Sequence, residues 1–368
     1  MNMPKKRDYA EGDNRHRSGH RHHKKSAFRI LKHKIKKALR QKFWIIPTAI
    51  LVVALIAGGA FWMLKGVQDV DNQSLRADDQ RNVGSGYRDI VYKGKPYRYN
   101  NRITTVLYAG VDSRDPLVES EFYTMGNLAD SINLVVLDEY KHKITIIPLN
   151  RNTMTKIRKY TLKGRDRGQF TEQLCYAFYY GNGGKASADN LCEAVSELLY
   201  GIPINEYVVT TLGSINQVGD IVGPIPVVVP NDDLEKYGYK AGQQIVVGSD
   251  NIDLFLHYRD TEGDFSNDGR MQRQMAYMDG SVNHMKSLIE EDPLAMWDKI
   301  QLMEQSMLTS ITRNQYLDLV NTLKRVDYNS EDMYTPSGEN MNTLLYDEFY
   351  PDEDALLSKV IEIFYLEK

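Results

Sequence analysis

Apolar residues along this chain come in three rhythms, and each predicts a different kind of element. Residues 43–64 run without a single charge, and at ~1.5 Å per residue such a helix crosses a hydrocarbon core of ~30 Å. Trp44 and Trp62 lie near its two ends, where interfacial aromatics are favoured. Short unbroken apolar runs at 103–109, 132–137, 143–148, 207–210 and 225–230 read as buried strands, with a turn at 139–142 joining the second and third. Helical spacing marks 171–180, 187–200, 212–222, 251–257, 293–305, 313–324 and 354–364. A longer helix is expected from Ser266 or Asn267 as N-cap, because Met271, Met275, Met278 and Val282 follow at three- and four-residue intervals. Strands alternating with helices predict an α/β fold: a layered α-β-α domain with a central mixed sheet, after one N-terminal transmembrane helix.

Charge then orients the chain. Of 46 Lys and Arg, 15 fall in residues 1–42 beside three acids, so a basic arm of about +12 precedes a body of about −15. The positive-inside rule puts residues 1–42 in the cytoplasm, 43–65 across the membrane and the remainder outside. Leu31, Ile35 and Leu39 recur every four residues among lysines, which predicts a helix lying on anionic headgroups. No helix-turn-helix or base-reading motif accompanies the charge, so no nucleic-acid partner is expected. Residues 66–98 are polar and weakly periodic, and read as an extracytoplasmic stalk with a short strand at Asp89–Tyr92. The folded domain is 99–368. Cys175 and Cys192 fall in successive expected helices; outside the membrane a disulfide between them is chemically permitted, and two buried free thiols are the alternative. No Cys/His cluster has zinc spacing, and no P-loop or nucleophile elbow occurs.

The candidate chemistry gathers at strand ends, where α/β sheets place functional groups. Asp112 and Arg114 follow the first strand, Asp130 stands just before the second, and Asn150-Arg151-Asn152-Thr153 follows the third. Arg259 comes after the helix at 251–257, and Arg270, Arg273 and Gln274 share one face of the next helix at i, i+3 and i+4. Free backbone N–H groups in a first helical turn favour an anion, and planar guanidiniums match phosphate oxygens. Two carboxylates suffice for Mg²⁺ when substrate phosphates supply further ligands. A solvated charged face paired with Asp264 and Asp268 would carry the same residue types.

The order of Gly-Val-Asp-Ser-Arg (110–114), Ala-Asp-Ser (129–131), Arg-Asn-Thr (151–153), the tyrosine-rich segment ending Gly-Asn-Gly-Gly (181–184) and the closing Arg-Asp-Thr…Arg-Met-Gln-Arg-Gln (259–274) resembles the LytR-CpsA-Psr family. The resemblance covers about residues 100–290 and implies a membrane-anchored extracytoplasmic phosphotransferase. Such an enzyme moves an anionic glycopolymer, such as a teichoic acid or capsular polysaccharide, from a polyprenyl-diphosphate carrier to peptidoglycan, with Mg²⁺. Carried over by motif, Asp112 and Asp130 would hold the metal. Arg151, Arg259, Arg270, Arg273 and Gln274 would grip the diphosphate, and Arg114 would support Asp112. The acceptor nucleophile would be a hydroxyl of the wall glycan rather than a protein side chain.

Three positions depart from that pattern. Leu128 and His257 stand where arginines are expected, and Asn152 replaces a carboxylate. A site short of two guanidiniums grips a diphosphate less firmly, and His257 makes its charge titratable. Two other functions stay open on the sequence: a non-catalytic binder of lipid phosphates or wall polymer, and a membrane-bound regulator of transcription.

Overall fold

The computed structural model describes residues 89–124, 126–259, 266–343 and 347–368. The expected arm, membrane span and all but the end of the stalk lie outside these residues. No helix among the described residues is long and apolar enough to cross a membrane.

The chain enters through a hairpin, β1 (Asp89–Tyr92) and β2 (Lys95–Tyr99), turned at Lys93-Gly94, both of which have positive φ. Next come β3 (Ile103–Val111), β4 (Ala129–Asp138) and β5 (Lys143–Leu149), three strands buried along almost their whole length. A strand covered on both faces reads as a continuous apolar run, which is why these were legible in the sequence. A polar ribbon follows, β6 (Met154–Tyr160) and β7 (Asp166–Gln173), and then α1 (Tyr176–Tyr179) and α2 (Lys185–Leu198). The helix expected at 171–180 is therefore mostly strand and turn. The ribbon is held by charge pairs, Arg158 Nη1 to Asp166 at 2.5 Å and Lys159 to Glu172, and leaves no apolar face for a periodicity to reveal.

The remainder runs β8 (Glu206–Thr211), α3 (Ile215–Val222), β9 (Ile225–Val228), β10 (Gln244–Val247), α4 (Ile252–His257) and the long α5 (Ser266–Glu291). Then come α6 (Pro293–Gln301), β11 (Met307–Thr309), α7 (Arg313–Leu323), β12 (Gly338–Asn342), β13 (Asp347–Pro351), α8 (Glu353–Phe364) and β14 (Tyr365–Glu367). The five-stranded central sheet has the order β11-β8-β3-β4-β5. Only the β3–β8 pair is parallel, so the sheet is mixed.

Alternate side chains of the central strands build two cores, as the two-residue period of a strand requires. Val106, Tyr108, Val135 and Leu137 pack under α3, α4, α5, α6 and α7. Leu107, Ala109, Leu134 and Val136 pack on the other face under α1, α2 and α8. This is the α-β-α layering expected. The Tyr108 hydroxyl, buried in the first core, is satisfied by Thr210 Oγ1 at 2.8 Å across the parallel pair. The strand expected at Asp89–Tyr92 is present, but it is tied through β2 to β14 at the end of the chain, so this part of the stalk segment joins the folded body.

Both cysteines are free thiols. The helical hairpin that would have brought them together is absent on one side: Cys175 is the residue before the four-residue α1, and its thiol faces Arg151, not α2.

Candidate active site

The site forms where β3 and β4 separate. A register shift at Gly110/Val111 ends their regular pairing, and such bulges re-aim the residues beside them. Asp112 leaves the sheet there. Its N–H donates to Leu128 O at 3.1 Å, and its Oδ1 accepts from Leu128 N at 2.8 Å. Partial burial and the neighbouring Asp130 charge push the Asp112 carboxyl up to about 6, with Leu128 N–H and Arg151 pulling the other way.

Asp130, in the second position of β4, is 3% exposed. Arg151 Nε stands 2.8 Å from its Oδ1, an ion pair whose geometry falls short of a hydrogen bond, while its Oδ2 has no hydrogen-bond partner among the described residues. Arg151 itself is displayed by a tight turn after β5. Thr153 N and Oγ1 both donate to Asn150 O, at 3.0 and 2.6 Å, and Asn152 N donates to Asn150 Oδ1 at 3.0 Å.

Helix α5 brings the second half. Asn267 turns inward at its start, donating to Asn150 Oδ1 at 3.2 Å and accepting from Arg270 Nη2 at 2.7 Å. Arg270 is 1% exposed, and its Nη2 also approaches Asp130 O at 3.4 Å. Its Nε and Nη1 have no partner among the described residues. Burial drives this guanidinium well below its ordinary range; Asp130 opposes that, and Arg151, Arg259 and Arg273 add to it. Arg259 is lowered too, by burial first and then by Arg151. Three guanidiniums thus crowd around Asp130 in a poorly solvated place, an arrangement that an arriving anion relieves.

A small cavity opens beside them. Asp130, Arg151, Asn267 and Gln274 give it a polar side, and Ile132, Leu149, Met271 and Met275 an apolar one.

A family model, the LytR_cpsA_psr family, matches residues 64–358. The chain belongs to the LytR_cpsA_psr family. Similar curated relatives include a polyisoprenyl-teichoic acid–peptidoglycan teichoic acid transferase TagU of Bacillus cereus, 24% identical over 309 residues and covering 80% of this chain and 86% of that protein. TagV of Bacillus subtilis, of the same printed activity, is 25% identical over 68% of this chain and 59% of its own length. Among solved structures, B. subtilis TagV superposes with a TM-score of 0.51 at 20% identity, covering 71% of this chain and 96% of that one. A structure of TagT bound to LI-WTA gives 0.51 at 15% identity over 77% and 97%. Those two likenesses establish the fold of a LytR_cpsA_psr domain.

Within this LytR_cpsA_psr site the structure brings Asp112, Asp130, Arg151, Arg259 and Arg270 into one electrostatic neighbourhood. Gln274 lines the adjoining cavity and donates to Leu256 O at 3.3 Å. Two expected residues are placed otherwise. Arg273, fully buried, spends all three nitrogens on protein acceptors: Nε on Phe255 O at 2.9 Å, Nη1 on Asn231, Gly269 and the Asp233 carboxylate, and Nη2 on Tyr258 O. Here it clamps α5 to the chain leaving α4 and to the loop after β9, in place of the diphosphate grip expected of it. Arg114 is exposed on the loop after β3, where its charge is felt by His257.

Asp268 also differs from a solvated charge, being partly buried and accepting from Asn340 Nδ2 at 2.9 Å. The structural partners Asn231, Asp233 and Asn267 carried no motif signal toward these roles. Asp253, four residues before His257 on α4, carried one: an i, i+4 acid–histidine pair.

Proposed function

We propose that this chain is a membrane-anchored extracytoplasmic phosphotransferase that moves an anionic glycopolymer from a polyprenyl-diphosphate carrier to peptidoglycan. The observation that carries this reading is Arg270: a fully buried guanidinium with Nε and Nη1 unpartnered, crowded by Arg151 and Arg259. Burying such a group without a counter-charge is costly, and a diphosphate supplies acceptor oxygens for the guanidiniums together. The apolar side of the cavity suits the first part of a prenyl chain. Membership of the LytR_cpsA_psr family and relatives named as teichoic acid transferases supply the reaction class.

Mg²⁺ fits the carboxylate pair. Asp130 Oδ2 is buried without a partner, and the Asp112 carboxyl is raised partly by Asp130's charge, so a cation between them offsets both costs. No cluster of three or more acidic, histidine or cysteine side chains forms among the described residues, which suits a metal that takes its remaining ligands from phosphate and water. When bound it would screen phosphate oxygens during transfer. The protein's own part is to hold the diphosphate with Arg151, Arg259 and Arg270 and to keep Arg151 oriented on Asp130.

Calorimetry with a short-chain polyprenyl diphosphate and Mg²⁺ tests the site. Arg270→Lys keeps the charge but loses the fork, so binding should weaken about tenfold or more. Asp268→Asn keeps an acceptor for Asn340 and should leave affinity within about twofold. Equal, minor losses at both positions would remove the diphosphate site.

A further inference from the structure

The side chain that the diphosphate grip leaves unused is His257, the last residue of α4 and 9% exposed. Its Nδ1 is bonded to an Asp253 carboxylate oxygen one turn earlier. A carboxylate only accepts, so Nδ1 carries the proton and Nε2 is left with its lone pair. Nε2 is buried and has no hydrogen-bond partner among the described residues. A histidine that merely fills a core has both nitrogens satisfied; here one is fixed and the other is held ready.

The surroundings keep that lone pair available. Burial lowers the imidazole below its usual range, Asp253 on its own helix opposes this, and the charges of Arg270 on α5 and Arg114 on the β3 loop add to it. The ring is therefore neutral at neutral pH. The neighbouring Arg270 has its own unpartnered donors, Nε and Nη1. An occupant that accepts from Arg270 and donates to His257 needs an oxygen acceptor and an O–H together, as a phosphate ester and an attacking alcohol provide.

We propose that His257, oriented by Asp253, is the general base that takes the proton from the acceptor hydroxyl; this rests on the site being a phosphotransfer site. The hydroxyl oxygen forms a bond to the phosphorus that carries the glycopolymer. The bond from that phosphorus to the bridging oxygen breaks, and its electron pair leaves with the polyprenyl phosphate. The hydroxyl proton passes to Nε2, and the resulting imidazolium is held by Asp253 until solvent or the departing phosphate removes the proton. Asp253 is a positioning residue, since it acts only through His257.

The test uses the full chain in detergent with Mg²⁺, a polyprenyl-diphosphate-linked oligosaccharide as donor and peptidoglycan fragments as acceptor. His257→Ala should lower the transfer rate by about 10²–10⁴-fold, while donor affinity stays within about threefold. Added imidazole should restore part of the lost rate, and added guanidine should not. His257→Arg, which supplies a cation but no base at neutral pH, should be as slow as the alanine variant. Asp253→Asn should fall between wild type and His257→Ala. Wild-type rates for His257→Arg, or rescue of the alanine variant by guanidine as well as by imidazole, would show that only a cation is needed and overturn the proposal. Absence of both binding and transfer in the wild type would overturn the phosphotransfer reading together with it.

Discussion

At the scale of single residues, the site is a contest between burial and charge, and Asp112 shows it most simply. Its carboxyl sits at about 6 where an unfolded chain would have about 3.8. A carboxyl raised on folding favours the fold while protonated, so that contribution is whole below about pH 4 and lost as pH rises through about 6. Without metal, Asp112→Asn should thus be more stable than the wild type above about pH 6, by at most about 3 kcal/mol, and the gain should vanish near pH 4. The asparagine keeps an acceptor for Leu128 N. Urea unfolding in a chelator across this pH range measures the difference, and saturating Mg²⁺ should narrow it. A pH-independent difference would remove Asp130's influence on Asp112.

The residue types were legible in the sequence, because aspartates and arginines at strand and helix starts announce themselves. Their division of labour was not. Arg270 and Arg273 are one helical turn apart and alike in sequence, yet one ends among other guanidiniums and the other among carbonyls and Asp233. That difference is made by residues 231–233 and 255–258, distant in the chain.

At the scale of elements, α5 holds both arginines, and they should act on stability with opposite sign. Arg270 is a buried cation short of partners, so Arg270→Met should stabilise the unliganded fold, by about 1–3 kcal/mol, as replacing buried charge with apolar bulk often does. Arg273 satisfies Phe255 O, Tyr258 O and Asp233. Arg273→Met strands those acceptors and should cost about 2–4 kcal/mol. Denaturant midpoints for the two variants make the comparison, and a loss in both would mean that Arg270 is already paired.

Elements were readable in the sequence in proportion to their burial. The central strands β3, β4 and β5 gave unbroken apolar runs, and α5 gave a long stripe of methionines and valine. The β6–β7 ribbon and the β12–β13 hairpin gave little, since polar, exposed strands are defined by pairing across space and by ion pairs.

At the scale of the whole molecule, the proposed chemistry needs the domain beside the outer membrane surface, where a lipid-linked donor and the wall acceptor meet. The uncharged run 43–64 after a basic arm is the ground for placing it there. A reporter fused after Lys368 should be active only outside the cytoplasm, and cytoplasmic activity would overturn that placement. The α-β-α layering was legible from the alternation of apolar runs and helical stripes, while the closure of the body by β1, β2 and β14 joins the two ends of the domain in a way no local pattern reveals.

The central claim is transfer itself. The full chain in detergent, given a polyprenyl-diphosphate-linked teichoic acid oligomer, peptidoglycan and Mg²⁺, should yield polymer attached to the glycan and free polyprenyl phosphate. Asp112→Ala should abolish both products while melting as a folded protein. Binding of the lipid-linked donor by wild type with no attached polymer would make the chain a carrier rather than a transferase. Equal turnover by Asp112→Ala would contradict the site assigned here.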